Sequence, residues 1–155
     1  IVLAGVYPIE VTAVWILLKY LSFFLVSIVF LQLGVNGIAK ALVSALALVS
    51  FDFLLDPFAV SRGTWKWAKP GIFFGIPWQN FFGWFLVGFV ISFIFMNLEI
   101  TKIHETSIVV PVLVVYAMFP LIIGRKLISI DKIKGILATL PIILFLISGL
   151  YWFFS

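Results

Sequence analysis

Long apolar runs separated by short polar joints are the main pattern of this chain. Five runs lie at about 8–33, 38–55, 81–98, 107–124 and 135–154. Each is long enough to cross about 30 Å of hydrocarbon as a helix. The pattern predicts an all-α fold, a polytopic transmembrane helical bundle of about five spans that forms one domain over residues 1–155.

The joints differ in length and composition. The first, around Gly34 and Gly37, is predicted to be a tight turn. The second, residues 56–80, is the longest and is rich in Gly, Pro and Trp. Because long loops carry function more often than short ones, we expect the functional site at or beside residues 56–80.

Composition supports a membrane setting and excludes several functional classes. Hydrophobic residues make up 65% and charged residues 10% of the chain, against about 25% charged in soluble domains. The absence of cysteine excludes disulfides, thiolate metal sites and cysteine nucleophiles. The net charge of +4 comes from scattered basic residues without a run of five, so we expect no nucleic-acid partner. The chain opens at Ile1 within an apolar run, and we expect the natural protein to extend further at its N-terminus.

Basic residues in the joints predict the orientation. Seven lie in the second and fourth joints, whereas the opposite side has only Lys40, near the start of the second run, and Lys102. Because Lys and Arg are retained on the cytoplasmic side, the sequence predicts a multi-pass protein of the cell membrane. Loop 56–80 is then cytoplasmic and the C-terminus outside.

Two carboxylates are the main candidates for chemistry. Asp52 and Asp56 are four residues apart at the end of the second span, so they share one helix face. In a poorly hydrated site at least one is expected to keep its proton near neutral pH and to act as a general acid. The alternative is that Asp56 caps the helix before Pro57 while Asp52 pairs with a basic residue of the loop. Because intramembrane carboxylates are costly, the functional interpretation is favoured.

Two further polar residues are predicted at the same membrane depth. Glu10 lies near the start of the first span and Asn80 near the start of the third. If they converge on the aspartates, they can orient a water molecule or a ligand. The alternative is that Glu10 extends to the interface and Asn80 caps its helix.

Aromatic residues make the long loop apolar, and closely spaced Gly and Pro residues suit a tightly folded lid. Such a lid can line a cavity for a polyene chain or for a carbocation. Its candidate substrate-binding residues are Trp65, Trp67, Phe73, Phe74 and Trp84. The alternative is that these rings pack into the membrane interface.

The remaining joints offer less chemistry. His104 is the one histidine of the sequence, which excludes metal sites built from two histidines within this chain. The outer joint around it is interpreted as solvated. The fourth joint, 125–134, is basic and is expected to contact anionic lipid headgroups.

The long loop resembles a known family, on the segments FDF at 51–53, DP at 56–57, GTWKW at 63–67, GIFFGIP at 71–77 and NFFGW at 80–84. In order and spacing these are similar to motifs of the membrane carotenoid biosynthesis protein family, which includes bisanhydrobacterioruberin hydratases and related carotenoid 1,2-hydratases. The likeness covers about 35 residues well. It departs from the family at Thr64, Phe73 and Phe74, where the family has tyrosines, and the family's Tyr-rich N-terminal motif does not occur in this sequence.

The resemblance implies addition of water to the terminal C=C bond of an acyclic carotenoid, without a cofactor and without a metal. Asp52 or Asp56 would then be the acid, Asn80 and Glu10 would orient water, and the aromatic residues would form the cavity walls. Carotenoid or another polyisoprenoid, and membrane lipid, are the expected partners. Two alternatives stay open: a non-catalytic subunit of a larger membrane complex that binds carotenoid or lipid, and a Mg²⁺-dependent prenyltransferase that uses the aspartate pair.

Overall fold

The computed structural model describes residues 37–64, 66–97, 114 and 117–154, and this part of the chain is helical. The described residues form four α-helices: α1 (Gly37–Ser61), α2 (Trp78–Asn97), α3 (Arg125–Ile130) and α4 (Lys132–Phe154). A π-helix, Pro120–Gly124, leads directly into α3. Within these ranges no β-strand forms, and the loop after α1 has only isolated β-bridges, among them Gly71–Gly75 and Phe73–Ile76. The predicted all-α class is confirmed.

Helix α1 continues past the point where the sequence predicted its end. Pro57 lies inside the helix, which ends at Ser61. The helix is closed by Gly63 at φ +71°, where the N–H groups of Gly63 and Thr64 donate to the carbonyls of Val60 and Ala59 at 2.9 and 2.8 Å. These are the two hydrogen bonds of a Schellman motif. The glycine rather than the proline therefore ends α1, and the connecting loop spans 62–77 instead of 56–80.

Helices α1 and α2 pack in opposite directions. Asn80, near the start of α2, bonds Asp56, near the end of α1. Further along, a Cβ placed on Gly88 would lie 2.9 Å from Leu48 Cδ2 and 3.2 Å from the Cα of Ala45. The missing side chain at Gly88 thus permits close approach of the two helices.

The corner between α3 and α4 is equally tight. The Asp131 Oδ1 atom accepts a hydrogen bond from the Lys134 N–H at 3.0 Å, so Asp131 caps the N-terminus of α4. A Cβ on Gly135 would overlap the backbone of Leu127 and Ile128. A glycine is therefore required where α4 crosses the end of α3.

Helix α1 is the central element, because α2, α3, α4 and the π-helix all pack against it. The core is built mainly from its side chains together with some from the loop, from α3 and from α4. Its largest fully buried apolar members are Phe51, Leu54, Leu55, Ile76, Leu127 and Ile142.

Helix α1 is long and apolar enough to cross a membrane, judged by length and composition. Large apolar side chains are also exposed along α2 and α4, among them Val90, Ile94, Leu144 and Ile147. Such surfaces suit a lipid environment. The predicted first span (8–33), half of the predicted fourth span (107–124) and the outer joint around His104 lie outside the described residues.

Candidate active site

Two buried carboxylates lie inside α1. Asp52 is 0% exposed and Asp56 is 2% exposed. The sequence placed them at the end of a span, but the helix continues for more than a turn beyond Asp56. The alternative in which Asp56 caps the end of the helix is therefore wrong. Because burying a carboxylate in an apolar bundle is costly, both positions require specific local compensation.

Asn80 provides part of this compensation. Its Nδ2 atom donates a hydrogen bond to Asp56 Oδ2 at 2.5 Å. The structure thus brings together Asp56 and Asn80, which are 24 residues apart in the sequence. Glu10, the fourth polar residue proposed for this depth, lies outside the described residues.

The pairing of α1 with α2 also sets the level of Asp52. Asp56 meets Asn80, and Leu48 meets Gly88 two turns away. Since the helices are antiparallel, Asp52 lies midway between these contacts and level with Trp84. Trp84 is half-buried and packs against the core.

Pro57 changes the backbone beside the carboxylates. A proline has no N–H, so Pro57 cannot donate the helical hydrogen bond to the carbonyl of Phe53. Phe53 lies between Asp52 and Asp56 in the sequence. A backbone acceptor is thereby released from the helical pattern next to the two acids.

Four aromatic rings meet at the segment of α1 that carries the two aspartates and are called the aromatic cluster here: Phe53, Phe73, Trp78 and Phe81. The Phe53 and Phe81 rings stack with centroids 4.4 Å apart and planes 6° apart. Phe73 meets Phe53 edge-on at 5.2 Å, and Trp78 meets Phe81 at 5.6 Å. The cluster joins α1, α2 and the loop.

The loop after α1 folds back on itself to place one of these rings. Bridges join Gly71 to Gly75 and Phe73 to Ile76, and Phe74 and Gly75 have positive φ angles of 51° and 78°. A Cβ on Gly71 would overlap the Ile76 carbonyl, so this turn has no room for a side chain there. Phe73 and Ile76 are buried, so the turn packs these two side chains into the protein interior.

The predicted aromatic residues occupy different places. Phe73 belongs to the aromatic cluster. Phe74 meets Phe73 edge-on at 5.2 Å, and its ring also lies 6.0 Å from Lys134 Nζ. Trp67 is half-buried, and its Nε1 atom is buried without a hydrogen-bond partner among the described residues. Trp65 lies outside the described residues.

Neither Phe53 nor Trp78 was among the residues that the sequence predicted for the site. Trp78 is 57% exposed, so it has an outward face as well as its contacts in the cluster. The signal for Phe53 was its position between the two aspartates on the helix.

The α3–α4 corner carries charged side chains next to the loop. Asp131 and Lys134 form an ion pair at 3.4 Å. The backbone N–H of Lys134, which donates to the carboxylate, lowers the pKa of Asp131, and the Lys134 side chain lowers it further. Through its contact with Phe74, Lys134 also places this basic corner next to the loop.

Comparisons with known proteins agree with this picture. The profile of the carotenoid biosynthesis protein family matches residues 1–147. Bisanhydrobacterioruberin hydratase of Haloarcula japonica is 47% identical over 55 residues, which cover 35% of this chain and 18% of that protein. The match therefore spans less than a fifth of the relative. No solved structure matches the chain. The resemblance in the loop motifs is confirmed: the chain belongs to the carotenoid biosynthesis protein family.

Proposed function

We propose that the protein is an integral membrane enzyme that adds water to the terminal C=C bond of an acyclic carotenoid by acid catalysis. The observation that carries this proposal is the pair of buried carboxylates, Asp52 and Asp56, with Asn80 donating to Asp56. Membership of the carotenoid biosynthesis family and the partial likeness to a hydratase support the substrate class.

The two carboxylates take different roles in this proposal. An amide that donates to a carboxylate favours its ionised form, so Asp56 is assigned as the base. Two neighbouring buried carboxylates do not both ionise readily, so Asp52 is assigned the proton. Asp52 is thus the general acid and Asp56 the general base.

The reaction balances with these two groups. Asp52 gives its proton to the less substituted alkene carbon, and the π electrons form the new C–H bond, which leaves a tertiary cation. Water attacks the cation while Asp56 accepts a proton from the water. The product is a tertiary alcohol. Return of the proton from Asp56 to Asp52, one helical turn away, restores the starting state without a redox cofactor.

The aromatic cluster can stabilise the cation. Ring faces attract positive charge within about 6 Å, and more strongly where water is excluded. Phe73 and Phe81 are buried, and the cluster adjoins the segment that carries both aspartates. The carbonyl of Phe53, freed by Pro57, is a suitable acceptor to orient the attacking water together with Asn80. Glu10 and Trp65 are further candidates for water orientation and for the cavity wall.

We also propose the membrane topology predicted from charge: five spans, a cytoplasmic loop after α1 and an outward C-terminus. The contact between Phe74 of the loop and Lys134 of the α3–α4 corner supports placing both joints on one side. Exposed basic residues gather there: Arg62, Lys66 and Lys69 of the loop with Arg125, Lys126 and Lys132 of the corner. Contact of this basic face with anionic lipid is part of the proposal.

The test is expression of the full-length gene in cells that accumulate an acyclic carotenoid, followed by mass spectrometry of the pigment. We expect one water added per modified end, and a loss of about 100-fold or more in Asp52→Asn, the range for removing a general acid. Asp131→Asn is the matched control, because Asp131 is a partly exposed aspartate of the α3–α4 corner and does not belong to the proposed acid–base pair. Full hydration by a folded Asp52→Asn variant would falsify the assignment of the acid.

A non-catalytic carotenoid-binding subunit is the second candidate. It is favoured by Phe73, which places a ring without a hydroxyl in the aromatic cluster where the family pattern has tyrosine. In the same experiment, pigment that co-purifies unchanged with the protein would support this candidate over hydration.

A further inference from the structure

A groove of about 490 Å³ separates α1 from α4. Its α1 wall consists of Leu46, Val49, Ser50 and Phe53. These positions recur at intervals of three and four, so they form one face of the helix. On α4 the wall also follows one face, formed by Leu140, Pro141, Leu144, Phe145 and Ser148.

The groove offers no hydroxyl hydrogen to an occupant. Ser50 Oγ donates to the Ala47 carbonyl at 2.6 Å, and Ser148 Oγ donates to the Phe145 carbonyl at 2.9 Å. All other lining side chains are hydrocarbon. The groove therefore suits a chain without polar groups, because a buried polar group would lack partners there.

One side of the groove opens outward. Leu46 is 51% exposed and Leu144 is 57% exposed. Since exposed leucines suit lipid rather than water, the groove is accessible from the hydrocarbon of a bilayer. An occupant that dissolves in lipid can enter without crossing water.

The inner end of the groove reaches the candidate active site. Phe53 lines the groove and also stacks on Phe81 in the aromatic cluster. It follows Asp52 directly in the sequence. From Leu46 to Phe53 the α1 wall is about 10 Å long, given a rise of 1.5 Å per residue. A linear chain in the groove therefore points its end at the aromatic cluster, beside the segment of α1 that carries both aspartates.

We infer that this groove binds the hydrocarbon chain of an acyclic polyene, with the terminal double bond at the Phe53 end. The inference rests on the proposed function and adds the binding path for its substrate. A phospholipid fits the groove less well, because its charged phosphate would find no free hydroxyl donor and no basic side chain on the groove walls. A polyene has no charged group at either end and needs no polar partner until its alkene is protonated.

The first test compares two tryptophan variants of the full-length protein with lycopene, an acyclic polyene hydrocarbon, as the probe. Leu144→Trp fills the groove. Ile147→Trp is the matched control, because Ile147 lies on the same helix with 58% exposure and does not line the groove. After detergent purification, we expect Leu144→Trp to retain about tenfold less lycopene than the wild type, the effect of overfilling a site. Ile147→Trp should match the wild type.

The outcomes separate this inference from the proposed hydration. Asp52→Asn should bind lycopene normally but add no water, which supports both. If Leu144→Trp retains lycopene normally while Asp52→Asn no longer hydrates it, the groove is not the binding site, and the proposed hydration is still supported. If Leu144→Trp loses lycopene and the wild type shows no hydration activity, the groove is supported as the binding site and the proposed hydration is contradicted.

A second test identifies the occupant. Because the sequence has no cysteine, Leu144→Cys carries a single thiol, and Ile147→Cys provides a reference thiol outside the groove. Lycopene should slow labelling of Leu144→Cys by a lipophilic maleimide without affecting Ile147→Cys. Equal protection by phospholipid alone would overturn the polyene assignment. The Leu144→Cys thiol could also be unreactive in lycopene-free micelles while Ile147→Cys reacts. This result would show that another part of the protein fills the groove, and it would contradict the polyene assignment.

Discussion

The two sides of α1 differ in both spacing and chemistry. Towards α2, the helices approach closely at Gly88, and Asp56 bonds Asn80 across the interface. Towards α4, α1 lines an apolar groove of about 490 Å³. The polar contact between Asp56 and Asn80 therefore lies where the two helices are close together, and the open groove lies where the walls are hydrocarbon. Under the proposed function, one helix thus separates proton chemistry from capture of an apolar chain.

The largest expected effect is on the polar side, with Asn80→Leu. The change leaves the buried Asp56 carboxylate without the amide that donates to it. We expect a loss of about 1–3 kcal/mol in the free energy of unfolding, together with loss of most hydration activity. Thermal unfolding in detergent and pigment mass spectrometry measure the two effects.

Gln79→Leu is the control for Asn80→Leu, because Gln79 is the exposed neighbour of Asn80. It should leave stability and activity near the wild-type values. Equal behaviour of the two variants would show that the Asp56–Asn80 hydrogen bond does not hold the interface together.

The second effect concerns the close approach at Gly88. In Gly88→Ala the new Cβ lies 2.9 Å from Leu48 Cδ2, and the helices must separate or Leu48 must move. We expect destabilisation of about 1–2 kcal/mol. In Gly83→Ala, also on α2, nothing lies within 4 Å of the new Cβ, so removing a helical glycine should stabilise by about 0.5–1 kcal/mol. Opposite shifts of the unfolding midpoint are the expected result, and a stabilised Gly88→Ala would contradict the close interface.

A smaller effect is expected at the α3–α4 corner, away from both sides of α1. The lowered pKa of Asp131 means that its charge favours the folded state above the usual pKa of 3.8, and that this contribution is lost as the pH falls through the lowered value. Asp131→Asn keeps a capping oxygen but removes the charge. The variant should unfold at a slightly lower temperature than the wild type at pH 7, and the difference should shrink below pH 3.8. A difference that grows with acidification would have the wrong sign.

The smallest effect is expected on the open side, with Leu46→Phe. Leu46 is 51% exposed at the groove, so the larger ring has room, and the free energy of unfolding should change by less than about 0.5 kcal/mol. Leu48→Phe provides the contrast, since Leu48 is 4% exposed and faces Gly88. Similar losses of stability in both variants would mean that the two sides of α1 are equally tight.

The sequence was sufficient to predict the helical class and the family, and it singled out Asp52, Asp56 and Asn80, of which the structure joins Asp56 and Asn80. Their spacing and motif order depend on local periodicity, which sequence shows directly. The end of α1 was mispredicted because Pro57 was taken as a helix stop. Packing of the buried Leu54, Leu55 and Ala59 holds the helix through the proline, and Gly63 provides the stop.

Long-range features were harder to predict. Which of the 18 phenylalanines meet in the aromatic cluster depends on the register of α1 against α2, which no local pattern sets. The groove is a space between helices, and its walls look in sequence like any other apolar helix face. Trp78 could not be predicted as a member of the aromatic cluster for the same reason, since a tryptophan at the membrane interface and one in the cluster look alike in sequence.

The exposed leucines along the groove have a consequence for how a substrate would arrive. A polyene dissolved in a bilayer searches for its site in two dimensions, so the relevant concentration is its mole fraction in the lipid rather than its vanishing solubility in water. A groove that opens towards the lipid can take up polyene directly from the bilayer. The rate of capture would then respond to membrane composition and fluidity, and a carrier protein would not be needed.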